Sequence, residues 1–350
     1  MGGLRPRTHD AMKAWLLSRT GPPDVLELID RPDPAPGPGE VAVDVQAIGI
    51  NYAEVLSRKG LYGWAPDRPY VPGMEVTGTI SALGAGVDRA MGERVMCGMQ
   101  HGGYAERVVV NAARALPVPD DFSIEEAAAF AVNWMTAWVA LTEMARMRPT
   151  DRVAITAGAG GVGSAAVMLA SSSGCDVVGL AGSDEKLERV RAFGASDTVN
   201  YRATDFRERL AGVAGDRGFD VVLEVVGGDV FRALTDRLAP FGRIVVAGYA
   251  SLDYTWWNPL SWWRAWRGIP RLGLSRAAED SIGMLATHIG YLLDDEARLQ
   301  EIWAALIDHV DRARLRPVVG ATFDFADLPD AHRLMESRKS VGKIVVRIGG

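Results

Sequence analysis

Thiols and imidazoles are scarce in this sequence. Of 350 residues only two are cysteine, Cys97 and Cys175, and five are histidine. Two thiols exclude a disulfide framework and a four-cysteine zinc lobe within one chain, and they suit a reducing compartment. Basic residues are not in excess either. The 38 Lys and Arg against 44 Asp and Glu give a net charge of −6 and a pI near 5.5, where a dedicated nucleic-acid binder would carry a basic footprint. Long apolar runs are missing: no stretch of about 18 apolar residues occurs, and MGGLRPRTHDAMKAW has no apolar core of signal-peptide length. Pro6 stands where an N-myristoylation signal wants Ser or Thr. The expectation is a cytoplasmic protein, without nucleic acid as a partner.

What is present is enough apolar material, 48% of residues, to build real cores, and a length that fits roughly two domains. Residues 12–115 carry short β-favouring runs (MKAWLLS, EVAVDVQAIGI, TGTISALG, ERVMCGM, AERVVV) between Gly and Pro turns, the pattern of a barrel-like, largely antiparallel unit. Ser123 followed three residues later by Glu126 is a capping-box signature opening an alanine-rich helix. From Asp151 to about Ala250, strands alternate with helices: RVAIT, then a helix from about Ser164, then CDVVGLAG, DEKLERVRAFGA, TVNYR, FDVVLEVVG, DVFRALTDRLA and RIVVAGYAS. This alternation predicts a doubly wound parallel sheet. A helix (ARLQEIWAALIDHVDRA), a strand (VVGATFDF), a helix (PDAHRLMESR) and a last strand (KIVVRI) then return to the first unit. The predicted division is 1–130 with 283–350 against 131–282.

The strongest local signal is AGAGGVG, in which Gly158, Gly160 and Gly163 make G-x-G-x-x-G, with Gly161 and Val162 between them. A strand precedes it and a helix follows. Glycines let the backbone turn tightly and approach a pyrophosphate, and the helix N-terminus offers N–H donors and a positive dipole end. The second strand ends Leu180-Ala181-Gly182-Ser183, with no carboxylate at its tip to hold a ribose 2′-hydroxyl. Ser183 can donate to a phosphate, and Lys186 lies one turn into the next helix. Asp184 reads as a first-turn residue stabilised by the helix dipole. The cofactor expected is NADPH.

With these motifs in place the chain from about Met12 onward resembles the zinc-free quinone oxidoreductases of the medium-chain dehydrogenase/reductase superfamily, in the VAT-1-like branch. GINYAEVLSRKGLY, VPGMEVTG, EEAAAFAVNWMTAW, AGAGGVGSAAV, TWWNPL, HIGYL and SVGKIVV carry the resemblance. It implies a GroES-like β-barrel catalytic domain and a Rossmann domain, paired edge strands in a homodimer (here RIVVAGYAS), and hydride transfer from NADPH to a quinone or α,β-unsaturated carbonyl. An enoyl-thioester reductase and a non-catalytic NADPH-binding adaptor at membranes are the alternatives. Zinc-dependent relatives place a ligand histidine where Met74 stands, a ligand cysteine at Asn51 and a third ligand near Val132. None of these three substitutes is a good zinc ligand, so no metal is expected. Cys97 and His101 read as a core and a surface residue, and Glu75 as structural.

The resemblance also implies site roles. Asn51, Tyr62 and Tyr52 line the substrate and nicotinamide end as hydrogen-bond donors, or Asn51 only satisfies local backbone and Tyr62 packs at the rim. Some relatives have a second tyrosine where this chain has Leu56. Thr136 lies by the cofactor or packs its own helix. Lys186, Tyr201 and Arg338 match residues that hold the 2′-phosphate. Gly227, Gly248 and Tyr249 fall at strand ends, where open sheets bind ligands. Finally, five of the ten tryptophans lie in TWWNPLSWWRAWRG, with Arg264, Arg267, Arg271 and Arg276 in or after it. Trp256 to Trp266 read as a lid or core insertion, with peripheral membrane contact as the competing use.

Overall fold

A computed structural model describes residues 11–248 and 269–349 of the chain. Tyr249 and the segment from Trp256 to Trp266 lie outside the described residues. Two compact units form. The first takes the described residues of Met1–Ala131, Leu292–Gln300 and Val319–Gly350, and the second those of Val132–Tyr291 and Glu301–Val318.

The strands of the first unit are β1 (Ala11–Leu17), β2 (Leu26–Pro32), β3 (Glu40–Ile50), β4 (Glu75–Leu83), β5 (Arg94–Gly98), β6 (Arg107–Asn111), β7 (Ala115–Pro117), β14 (Val319–Asp324) and β15 (Lys343–Arg347). They form a mostly antiparallel sheet in the order β14-β15-β3-β4-β5-β7, with β6 pairing β3, and a separate β1–β2 pair. Val41, Val43, Ile48, Ile50, Val76, Ile80, Val95, Ile344 and Val346 fill its core with Trp15 and Tyr104. The buried Trp15 donates its indole N–H to Phe325 O at 2.9 Å, so a polar atom in this core has a partner. Helix α1 (Tyr52–Lys59) follows β3 directly and ends at Gly60, whose φ of 76° permits the left-handed cap. Helix α2 (Ile124–Ala128) starts with the capping box expected from the sequence: Glu126 N–H donates to Ser123 Oγ at 3.2 Å and Ser123 N–H to Glu126 Oε2 at 2.8 Å.

The strands of the second unit are β8 (Arg152–Ile155), β9 (Asp176–Ala181), β10 (Asp197–Asn200), β11 (Phe219–Glu224), β12 (Leu238–Val246) and β13 (Gly283–Ala286). They form a six-stranded parallel sheet in the order β10-β9-β8-β11-β12-β13. Helix α3 (Ala131–Trp138) leads toward them. Helices α4 (Gly161–Ser172), α5 (Asp184–Ala192), α6 (Phe206–Ala214) and α7 (Gly228–Thr235) connect successive strands. α8 (Leu274–Glu279) precedes β13, and α9 (Glu296–Ala313) and α10 (Leu328–Glu336) complete the helices named here. The inner strands are continuous apolar runs, such as the fully buried Val153, Ala154 and Ile155, as a sheet covered on both faces requires. Strand order reverses between β8 and β11, the switch point at which open sheets of this kind bind ligands.

Three expectations need correction. Residues 283–291 and 301–318 group with the second unit rather than the first, because β13 pairs with β12 from Arg243↔Gly283 to Val246↔Ala286. That pairing also makes β12 an interior strand, so the part of RIVVAGYAS that lies in β12 is not at a sheet edge; among the described residues β13 is the outer strand. α4 begins at Gly161, not near Ser164.

The register around β3 builds the interior of the first unit. Ile50 pairs with Ile344 and Ile48 with Val76. One further step along each pairing sets Asn51 opposite Lys343 and Gly49 opposite Glu75. Gly49 and Asn51 point to the same face, and Gly49 leaves that face open. A Cβ on Gly49 would stand 2.7 Å from Lys343 Cε and 2.8 Å from Glu75 Cδ. Gly49→Ala is therefore expected to destabilise the fold by about 1–3 kcal/mol through overpacking. Chemical denaturation of the variant checks this, and an unchanged midpoint would contradict the packing described.

Candidate active site

In the second unit the chain leaves β8 at Thr156, turns through Ala157 at φ 47° and enters α4 with Gly160 as its N-cap. Only small residues fit here. A Cβ on Gly163 would lie 2.7 Å from Ala157 C, and one on Gly161 would run into the Asn133 amide. The loop therefore keeps a bare backbone at the amino end of a 12-residue helix. N–H groups and dipole at that end favour an anion such as a pyrophosphate, so the residues present fit a dinucleotide. Val162 is the second residue of α4, and Thr136 is buried in α3.

The far side of the loop is fixed by a buried carboxylate. Glu224, at the end of β11, is 0% exposed. Its Oε1 accepts from Val226 N–H at 2.5 Å and Gly227 N–H at 2.7 Å, while Val225 N–H donates to Thr156 Oγ1 at 2.9 Å. Burial pushes the Glu224 carboxyl up to about 7, against the pull of these amide donors. This clamp shapes the turn at Gly227, where φ is 83°. Gly248 lies just beyond β12, and Tyr249 is outside the described residues.

Beyond the tip of β9 lies a basic cluster. Ser183 caps α5, its Oγ accepting from Lys186 N–H at 3.4 Å. A Cβ on Gly182 would stand 3.2 Å from both the Tyr201 hydroxyl and Arg202 Nε, so both side chains reach the strand tip. Lys186 is held below its usual range, first by burial and second by the nearby Arg202 guanidinium. The acidic residue at hand, Asp184, is engaged elsewhere: its Oδ1 accepts from Asn200 Nδ2 at 3.0 Å. Sequence reasoning names Ser183, Lys186 and Tyr201 but misses Arg202, which stands beside Tyr201 in NYR and reads there as an ordinary surface residue. Arg338 belongs to the first unit, just past α10 at φ 56°.

The first unit holds the residues expected at the substrate end. Asn51 is the N-cap of α1 and is 8% exposed. Its amide Nδ2 donates to Glu75 Oε1 at 3.0 Å and Gly49 O at 3.3 Å, and its Oδ1 accepts from Lys343 Nζ at 2.7 Å. Lys343 also forms an ion pair with Glu75, and both are 2% exposed or less. The Asn51 amide is thus directed inward, toward Glu75, Gly49 and Lys343. Tyr52 and Tyr62 are half-buried. Burial, and second the nearby Glu54 charge, push the Tyr62 phenol up to about 12.

Glu54 is buried one turn into α1. Its Oε2 accepts from Asn51 N–H and from Tyr104 Oη, each at 2.7 Å, and its Oε1 accepts from Met74 N–H at 2.7 Å. Tyr104 Oη also lies 2.8 Å from His332 Nε2, and Arg58 Nε donates to His332 Nδ1 at 3.4 Å. A neutral imidazole protonated on Nε2 satisfies every partner. Burial first and Arg58 second hold His332 at about 3. Arg58 in turn pairs with Glu336 at 2.8 Å.

Where zinc-dependent relatives were expected to carry ligands, the chain presents an amide held by a lysine (Asn51), a buried thioether (Met74) and an aliphatic side chain (Val132). Among the described residues no cluster of three or more His, Cys, Asp or Glu is arranged to hold a metal ion. Cys97 is fully buried in β5 and His101 is exposed. Among the described residues no helix is long and apolar enough to cross a membrane. Lys343→Met would leave Glu75 charged and buried without its counter-ion, so a loss of about 3–5 kcal/mol is expected. Denaturation of the variant measures it. Adding Glu75→Gln should restore part of the loss, whereas two independent, additive losses would contradict the pairing.

Over residues 193–346 the sequence matches the zinc-binding dehydrogenase family, and over 37–120 the alcohol dehydrogenase GroES-like domain. The synaptic vesicle membrane protein VAT-1 homolog of Rattus norvegicus is 32% identical, across 96% of this chain and 84% of that protein. Quinone oxidoreductase-like protein 2 of the same organism is 30% identical, across 93% of this chain and 89% of that one. Among solved structures, the quinone oxidoreductase of Thermus thermophilus, solved also in its complex with NADPH, has a TM-score of 0.80 at 36% identity, covering 96% of this chain and all (100%) of that one. A mycobacterial protein complexed with NADPH has a TM-score of 0.85 at 29% identity, covering 96% and 99%. The parallel sheet with its glycine loop, the antiparallel unit before it and this full-length similarity together place the chain in the quinone oxidoreductase and VAT-1 family of the medium-chain dehydrogenase/reductase superfamily.

Proposed function

We propose that the chain is an NADPH-dependent reductase that passes a hydride to a quinone or an α,β-unsaturated carbonyl without a catalytic metal. The observation that carries this reading is the cluster of Ser183, Lys186, Tyr201 and Arg202 around the tip of β9. An NAD-selective site holds a carboxylate there. In this chain the neighbouring Asp184 is turned to Asn200, and two cations and two hydroxyls gather near the strand tip, which supports a 2′-phosphate as their ligand. The family relatives solved with NADPH support the same coenzyme.

Bound NADPH supplies the hydride; the chain's residues bind it and manage charge. The glycine loop at α4 receives the pyrophosphate, and the Glu224 clamp keeps the opposite turn in shape. On the acceptor side, an amide, a thioether and an isopropyl group stand at the ligand positions of zinc-dependent relatives, and none of them suits Zn²⁺. A reductase built this way needs an acceptor that spreads the incoming charge by conjugation. Hydrogen-bond donors then complete the stabilisation, each worth about 2.7–4 kcal/mol in measured oxyanion sites. Tyr62 fits that role, because a phenol pushed up to about 12 keeps its proton at neutral pH, and Tyr52, the first residue of α1, is a second donor. Asn51 holds the start of α1 in place for both. The same reading carries a homodimer, with β13, the outer strand among the described residues, as its pairing edge.

Lys186→Ala/Arg202→Ala is expected to raise the KM for NADPH by about 10- to 100-fold, the loss of one or two charge-assisted hydrogen bonds, with little change for NADH. Steady-state kinetics with both coenzymes measures this, and an equal loss for both would contradict the assignment. Chelator-treated protein should keep its full rate with conjugated acceptors; recovery only on adding zinc would refute the metal-free part. Tight NADPH binding with no turnover of any quinone or enone would point instead to the adaptor.

A further inference from the structure

The amino end of α4 is left open by its own chain. Gly160 is the N-cap, and no side chain makes the capping hydrogen bond there, whereas Ser123 caps α2 and Ser183 caps α5. The first N–H groups of a helix have no partner inside it. One polar side chain stands against this end. Asn133, the third residue of α3, is 5% exposed. A Cβ on Gly161 would stand 2.8 Å from Asn133 Cγ and 3.1 Å from its Oδ1, and nearer still to Nδ2. The amide therefore lies beside the first residue of α4 and keeps that residue a glycine.

Among the described residues the Asn133 amide has no hydrogen-bond partner, and it is not one of the partnerless polar groups sealed from solvent. Its polar end is thus open beside the helix terminus. Thr136, three residues on, shares its face of α3; it is 9% exposed and equally without a side-chain partner among the described residues. Thr142 shows the other use of such a hydroxyl, donating back to Trp138 O at 2.7 Å. Thr136 makes no such bond. Leaving a largely buried amide unpaired is costly, and a ligand that supplies the partner removes that cost.

We propose that Asn133 binds the coenzyme's diphosphate, its Nδ2 donating to a phosphate oxygen at the amino end of α4. This rests on the dinucleotide reading above and adds to the glycine loop a side chain from a different helix. Phosphate oxygens only accept hydrogen bonds, and a carboxamide nitrogen has two hydrogens to give. The N–H groups and dipole of α4 draw the same anion. NADPH and NADH both carry a diphosphate, so Asn133 serves affinity for either coenzyme, where Lys186 and Arg202 serve the choice between them.

The test is coenzyme binding, read by the fluorescence of NADPH and NADH, so it needs no acceptor. Asn133→Leu keeps the size and removes the donor. It should weaken both coenzymes by a similar factor of about 10 or more, the loss of a hydrogen bond to a charged group. In competition titrations 2′-phospho-ADP-ribose, which has the diphosphate but no nicotinamide, should weaken by the same factor. Asn133→Asp separates this from packing. Its carboxylate sits where the α4 dipole favours negative charge, so the coenzyme-free variant should melt no lower than wild type. Its binding should nevertheless fall about tenfold further than in Asn133→Leu, and less so in high salt. Should Asn133→Leu not fold, Asn133→Asp decides. Wild-type coenzyme affinity in Asn133→Asp would overturn the proposal, as would a loss of binding that only tracks a lowered melting temperature. Weaker NADPH binding with 2′-phospho-ADP-ribose unaffected would also overturn it, by moving the amide to the nicotinamide end. Wild type binding neither coenzyme would instead overturn the dinucleotide reading itself.

Discussion

The first unit is organised around a buried ion pair, Lys343 with Glu75, and the Asn51 amide wedged against both. Three distant pieces of chain meet there: the end of β3, the start of β4 and the start of β15. Burying two charges is costly unless geometry and further hydrogen bonds satisfy them. Here Asn51 supplies those bonds, accepting from the ammonium and donating to the carboxylate. Gly49 keeps the space open. Once Asn51 is held, α1 must start at Tyr52, and Glu54, Tyr62 and the turn at Met74 are placed by consequence. At Asn51, one position where zinc-dependent relatives are expected to carry a ligand, the side chain is tied down in this chain by Lys343.

The second unit uses charge in the opposite sense. Burial first and the nearby Arg202 guanidinium second disfavour the charge on Lys186. Such an arrangement is under electrostatic tension until an anion binds, and a phosphate relieves it. Coenzyme choice then follows from where charges point rather than from their number, because an acidic residue stands in the same turn and is disarmed by a single hydrogen bond from Asn200.

How much of this can be read from sequence depends on range. The glycine loop is legible because its three glycines, the strand before and the helix after lie within about one βαβ unit. The Ser123–Glu126 box is legible because its partners are three residues apart. Lys343 and Glu75 are not, since 268 residues separate them and a lysine near a strand start usually reads as solvated. β13 is only four residues long, too short to show a period, so its segment reads as part of the wrong unit and β12 reads as an edge. Arg202 is hidden by its ordinary surroundings. The use of the Asn51 amide is unreadable because it depends on which groups the fold brings opposite. Glu54 escapes notice for a similar reason: two of the groups that bond its carboxylate, the Met74 amide and the Tyr104 hydroxyl, lie 20 and 50 residues away.

The central claim is that a phosphorylated nicotinamide passes a hydride to an acceptor that delocalises the charge, without a metal. The direct measurement uses metal-stripped protein, an enone and NADPH deuterated at its transferable position, with mass spectrometry of the product. The account expects one deuterium retained on carbon, at the same rate with and without added zinc. No deuterium in the product, or transfer only after zinc is restored, would contradict it.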